Sequence, residues 1–363
     1  MKKLVLILLL CLLLTGCMNW MDGAAYSIEP HQEVQQQQGQ SIPAVAIYSD
    51  LLREIEKLVE QGAEMGLLSV DRYSANLLKS GMERVINYII KSHPIGAYAV
   101  TDISYEIGTV GNNKAMAVTI QYSRSPEEIR AVQTAANMEE AASLLCRAVE
   151  NSDAGLVLRI EQFQNLDLTQ LVENYAQKHP ETVMEIPVLT VTTYPENGVR
   201  RVVDIRLSYQ TNRETLKNMQ RYVLPIFASA ALYVSNEEEG AELKYSRLHA
   251  FLMERSDYKL DSSITPAYSL LRHGVGDSRA FAVVYSAMCR RSGLECLVVS
   301  GTRYGEARFW NIVCINDIYY HVDLLDGWGF RALTDGEMAG YVWDYSSYPA
   351  CVVPEAPQET TGK

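Results

Sequence analysis

Two stretches of the chain alternate apolar and polar residues in the same way. In one, Met116, Val118, Ile120 and Tyr122 share a face; in the other, Val203, Ile205, Leu207 and Tyr209 do. A period of two puts such residues on one side of a β-strand. Each stretch follows a turn signal, GNNK or PENG, and a further strand is expected before it, near 98–107 or 186–194. The pattern predicts two hairpins. Upstream, VINYIIKSHP and LVENYAQKHP each close a helix with basic residues and a proline that cannot continue it. Downstream, Ser125 with Glu128 and Thr211 with Glu214 have the spacing of capping boxes, which predicts long helices after them.

The predicted unit is therefore helix, hairpin, helix, present twice. Tyr122 and Tyr209 lie 87 positions apart, His93 and His179 lie 86 apart, and two landmarks at nearly one offset argue for an internal repeat. His93 and His179 are expected as cations at helix C-termini, where the dipole favours them by about 0.3–1 kcal/mol. The alternative is a shared ligand-binding position.

From about Glu239 the pattern changes. YSRLHAFLMERSDY predicts an amphipathic helix, and a turn-rich stretch leads to Pro266. After Ser278, the apolar residues Phe281, Val284, Tyr285 and Met288 recur at helical spacing, with Arg290 and Arg291 in the last turn and Gly293 as the stop. A strand through Leu297, Val298 and Val299 follows. RFWNIVCI and IYYHVDLL then flank Asn316-Asp317, a two-residue hairpin turn. The fold class expected is α+β. The repeats are placed at 43–150 and 151–236, the last domain at 237–350 and a loose tail at 351–363.

The first seventeen residues put Lys2 and Lys3 ahead of an apolar run, Leu4 to Leu14, too short to span a bilayer. This predicts an export leader at 1–17. Leu14, Thr15, Gly16 and Cys17 resemble a bacterial lipobox, and the resemblance implies cleavage before Cys17, acylation of its thiol and a lipid anchor on a membrane outside the cytoplasm. Residues 18–42, with EVQQQQGQ, are expected to be a flexible tether. Loss of two lysines with the leader takes the formal charge from -12 to -14, which argues against nucleic acid as a partner. Cys146, Cys289, Cys296, Cys314 and Cys351 sit mostly in apolar surroundings and are expected as free thiols, a bridge from Cys351 being the open alternative. No spacing suggests a metal site, and no cofactor motif is present.

The order of landmarks after residue 240 resembles the transglutaminase-like superfamily, whose fold is related to papain-type proteases. Gly276, Phe281, Ala282, Gly293, Leu294, Trp310, Asn311 and Asp323 fit that family's pattern. The resemblance implies a nucleophilic cysteine where this chain has Ser278, and a histidine where it has Arg308; Asp323 alone matches the catalytic set. A thiol ionises near neutrality, but a serine hydroxyl needs a base, and arginine is a permanent cation that cannot accept its proton.

Counting back from the Asn316-Asp317 turn places Trp310 opposite Asp323, with Arg308 as the diagonal neighbour, so an Arg308–Asp323 ion pair is expected where a His/Asp pair would stand. Asp277 or Ser278 would cap the helix. The expected function is that of an anchored envelope lipoprotein whose last domain lacks catalytic residues and binds or scaffolds peptide, protein or cell-wall material. Asp277, Trp310 and Tyr319 are expected to line its cleft. One alternative is a hydrolase or acyltransferase using Ser278 with His321 and Asp323, His273 being a weaker base. Another is a spacer whose cleft Trp310 and Tyr319 fill.

Overall fold

The computed structural model describes residues 42–254, 258–327 and 329–353. The expected leader, Cys17, nearly all of the tether and the tail from residue 354 lie outside them.

The first part runs α1 (Tyr48–Gln61), β1 (Met65–Ser69), α2 (Ala75–Lys91), α3 (Pro94–Ala99), β2 (Val100–Val110), β3 (Asn113–Tyr122) and α4 (Pro126–Arg130). Leu51, Ile55 and Val59 of α1 recur every four residues and are fully buried, as helical periodicity requires of a core-facing stripe. Gly62 ends that helix at φ 65°, in the left-handed conformation that glycine adopts without penalty. Met116, Val118 and Ile120 of β3 meet this stripe and the apolar face of α2. The sheet order is β1-β3-β2, antiparallel throughout.

The second part runs β4 (Gln133–Asn137), α5 (Met138–Glu150), β5 (Gly155–Gln162), α6 (Leu168–Lys178), β6 (Val188–Tyr194), β7 (Arg201–Ser208) and α7 (Arg213–Tyr233). Its sheet order is β4-β5-β7-β6. Within it, β5-β7-β6 reproduces β1-β3-β2, and in both parts the chain runs helix, strand, helix, hairpin. β4 pairs parallel with β5, so α5 is a crossover helix packed on the second sheet. A boundary at 150/151 would cut this helix from the strand it covers; the second sheet's unit begins at Gln133.

Local physics departs from the sequence expectation at three points. The Ser125–Glu128 box is fully formed, yet α4 lasts five residues. The second long helix is capped by Asn212, which accepts from the Thr215 N–H, and not by Thr211, whose own N–H goes to the Glu185 carboxylate. The two histidines are not equivalent. His179 caps the end of α6 beside Glu181, whereas His93 is buried and opens α3, its Nδ1 accepting the Gly96 N–H at 3.1 Å. Both histidines precede a proline; Pro94 takes the first position of α3, where its missing N–H costs nothing, whereas Pro180 lies in a turn that opens no helix.

Burial lowers the His93 imidazole from 6.5 to about 4, opposed by Glu60 and aided by Arg159 and Arg200. The unfolded chain protonates near pH 6.5 and the folded chain only near pH 4. Stability is therefore full above that window and falls as pH drops through it, by up to about 3 kcal/mol. His93→Asn keeps an acceptor for Gly96, so urea unfolding between pH 7.5 and 4 is expected to show a shallower acid loss in the variant than in the wild type.

The third part comprises α8 (Ala241–Met253), α9 (Pro266–His273), α10 (Ser278–Arg291) and the sheet strands β8 (Cys296–Arg303), β9 (Glu306–Ile315), β10 (Ile318–Val322) and β11 (Tyr341–Trp343). α10 is buried from Ala280 to Cys289 without interruption, because α7, α8 and α9 cover the sides that the sheet does not. The sheet order is β10-β9-β8-β11. Asn316 and Asp317 turn the β9–β10 hairpin with φ 52° and 64°. The described cysteines are free thiols, Cys351 among them.

Candidate functional site

α10 starts at Ser278 because the preceding residues leave no other solution. Gly274 ends α9 at φ 66°, and a Cβ on Gly276 would sit 3.1 Å from both Ala280 and Leu270. Asp277 then caps the helix, its Oδ1 accepting the Ala280 N–H at 2.9 Å. Ser278 is half-buried, and its oxygen accepts the backbone N–H of Phe309 at 3.2 Å. Asn311 stitches the helix to the sheet by donating to the carbonyls of Ala282 and Leu297.

On the same strand as Asn311, Arg308 grips Asp323 in a two-pronged pair: Nε to Oδ2 at 2.8 Å and Nη2 to Oδ1 at 2.9 Å. The register Ile315↔Ile318 carried back along the hairpin brings the two together. Asp323 also accepts the Tyr341 hydroxyl at 2.7 Å and the Leu325 N–H at 2.9 Å. Burial and the Asp323 carboxylate both raise the Tyr341 phenol, which therefore stays a donor. Every strong acceptor direction of the carboxylate that these groups reach is in use.

His321 is fully buried and turned to other partners. Its Nδ1 accepts the Trp310 indole N–H at 2.9 Å, so the ring proton resides on Nε2, which donates to Asp335 at 2.9 Å. Burial lowers this imidazole below its ordinary value, with Asp335 opposing. Cys351 lies against the same carboxylate, and burial pushes its thiol up to about 12, far from an activated nucleophile. His321, Asp335 and Cys351 bring three ligand atoms within 4.8 Å of one another. A metal on Nε2 would require the proton on Nδ1, where the Trp310 N–H already points, so the tautomer fixed by Trp310 does not fit one.

The family model described as "Transglutaminase-like superfamily" matches residues 229–330. Residues 229–330 are a transglutaminase-like superfamily domain. Among solved structures, the chain is similar to a TGase at 9% identity, over 58% of this chain and 61% of that one, with a TM-score of 0.26. It is also similar to a putative protease from Parabacteroides distasonis at 8% identity, over 61% of this chain and 35% of that one, with a TM-score of 0.23. The chain thus spans less than two thirds of either. No curated protein matches it.

Within the transglutaminase-like domain, Ser278, His321 and Asp323 are not assembled as a triad, since both nitrogens of His321 and the carboxylate of Asp323 are committed elsewhere. His273 is exposed at the end of α9 and packs edge-on against Tyr268. Two of the three residues expected to line a cleft do not. Trp310 has no exposed surface and sits among Tyr341, Trp343 and His321. Tyr319 points to the far end of the sheet, its hydroxyl donating to Glu295. Both belong to the small core on the sheet face away from α10.

Asp277 does line a cleft, of about 360 Å³, between α10, the segment joining α6 to β6 and the stretch 262–267. Its α10 wall, Asp277, Ala280, Val283 and Val284, is the helix flank opposite Ser278 and Ala282, which face the sheet. Sequence reasoning missed Tyr341, Asp335 and Glu185. A Thr334–Glu337 capping box, present in the structure, is the one sequence signal that marks the Asp335 turn.

Proposed function

We propose that this chain is a lipid-anchored envelope protein whose transglutaminase-like domain binds or scaffolds peptide, protein or cell-wall material without turning it over. The observation that carries the reading is the two-pronged Arg308–Asp323 pair, formed by the residue just before Phe309, whose N–H binds Ser278. A serine attacks an amide only when an adjacent base takes its proton; Arg308 is a cation held by a carboxylate, and the one hydrogen bond of the Ser278 side chain among the described residues comes from a backbone N–H. The hydroxyl oxygen accepts the Phe309 N–H, and no base accepts its proton among the described residues. The matching strand order of the first two sheets supports their being copies of one unit. The lipid anchor rests on Lys2, Lys3, the apolar leader and Cys17. No described helix is long and apolar enough to cross a membrane.

The test treats the purified protein with a fluorophosphonate probe for serines and an epoxide probe for thiols, alongside an amide and an ester substrate. No labelling of Ser278 and no turnover are expected. Labelling or turnover that disappears in Ser278→Ala would establish the hydrolase reading instead. In cells, Cys17→Ser is expected to move the protein out of the membrane fraction; unchanged fractionation overturns the anchor.

A further inference from the structure

We infer that the cleft on the outer flank of α10 binds the free amino terminus of a peptide with an apolar first residue. This rests on the reading of the domain as a binder, and it moves the site away from Ser278. The 360 Å³ of space is within the range of small-ligand pockets and suits two or three residues rather than a folded partner. One wall is α10. A second comes from the link between α6 and β6, where Val183 and Met184 are buried and Ile186 stands half-open at the rim, and a third from the stretch 262–267. The second sheet's unit thus closes a pocket whose other sides, α10 and the stretch 262–267, belong to the third part.

Charge selects the ligand. Glu185 and Asp277 both line the cleft. Glu185 is 4% exposed and immobilised, its two oxygens accepting the N–H groups of Gln210 at 2.6 Å and Thr211 at 3.0 Å. Asp277 uses Oδ1 as the helix cap, and its Oδ2 has no hydrogen-bond partner among the described residues. The one lining cation, Arg279, is drawn toward the sheet, its guanidinium carbon 5.7 Å from the centre of the Phe309 ring. Two carboxylates beside an apolar wall call for an ammonium group on an apolar body. The side-chain amides of Gln177 and Gln210, also at the cleft and without side-chain hydrogen bonds among the described residues, can pair with a peptide amide. This combination favours a peptide end over a simple amine.

The experiment is calorimetric titration of the purified protein with Leu-Ala-Ala, its N-acetyl form and hexylamine. The free peptide is expected to bind, with at least ten-fold weaker binding of the other two. Asp277→Asn removes the charge while keeping a cap of equal quality, so it should weaken the free peptide about ten-fold with an unchanged thermal midpoint. Ile186→Trp, at a half-open rim position, should block entry. Equal binding of free and acetylated peptide, hexylamine as tight as the peptide, affinity indifferent to both variants, or no binding by the folded protein overturns the inference. Probe labelling of Ser278 with peptide affinity intact would instead defeat only the non-catalytic reading.

Discussion

Arg308→Ala is expected to lower the free energy of unfolding by about 3–5 kcal/mol, the cost of breaking a buried pair from one side. The magnitude follows from what the substitution leaves behind. The Asp323 side chain is 2% exposed and the Arg308 side chain 17%, so the guanidinium is what stands between the carboxylate and solvent, and water entering in its place would bring no opposite charge. The Tyr341 hydroxyl and the Leu325 N–H would remain, two neutral donors around a full negative charge. Removing both partners together, as Arg308→Met with Asp323→Leu, should cost less than the single change, because no orphan charge survives. Urea unfolding of the single and double variants decides it. A loss below about 1 kcal/mol for Arg308→Ala would place the pair among weak surface bridges.

Trp310→Ala should be as damaging, at about 3–5 kcal/mol, for a different reason. The indole has no exposed surface, and it meets Tyr341 and Trp343 nearly edge-on at 5.1 and 5.8 Å between ring centres. Deleting it leaves a cavity against the sheet backbone at Gly301, which the indole packs on directly and which has no side chain to fill the space. Trp310→Phe separates packing from hydrogen bonding. It keeps a ring but removes the donor to His321 Nδ1, at an expected cost of about 1–3 kcal/mol for a buried acceptor left unmet. Unfolding by urea, with near-ultraviolet dichroism as the probe of aromatic packing, measures both.

The Arg308–Asp323 pair was legible in the sequence because its information is local. A two-residue turn at Asn316-Asp317 fixes the register of everything before and after it, and strand alternation does the rest. Tyr341, the third member, was not legible: it stands on a three-residue strand with no period to read, and its place is set by pairing with β8 across a long loop. The same contrast runs through the fold. Alternation in β3 and β7 announced the hairpins, whereas β4, a five-residue parallel strand reading QTAAN, carries no apolar alternation and was invisible. The Ser125–Glu128 box marked where a helix begins, but a box says nothing of length. The Lys-rich His-Pro endings looked alike in both parts, yet one histidine caps the next helix and the other ends its own. Of the cleft, only Asp277 was legible, because Met184, Ile264 and Val283 each look like ordinary apolar positions until the chain folds them together.

Asp323 also reaches across its own sheet. It follows β10 at one edge, binds Arg308 on β9 and accepts from Tyr341 on β11 at the opposite edge. Neither margin can therefore fray alone, and the amide protons of β10 and β11 should become exchangeable in one concerted opening rather than in two independent ones.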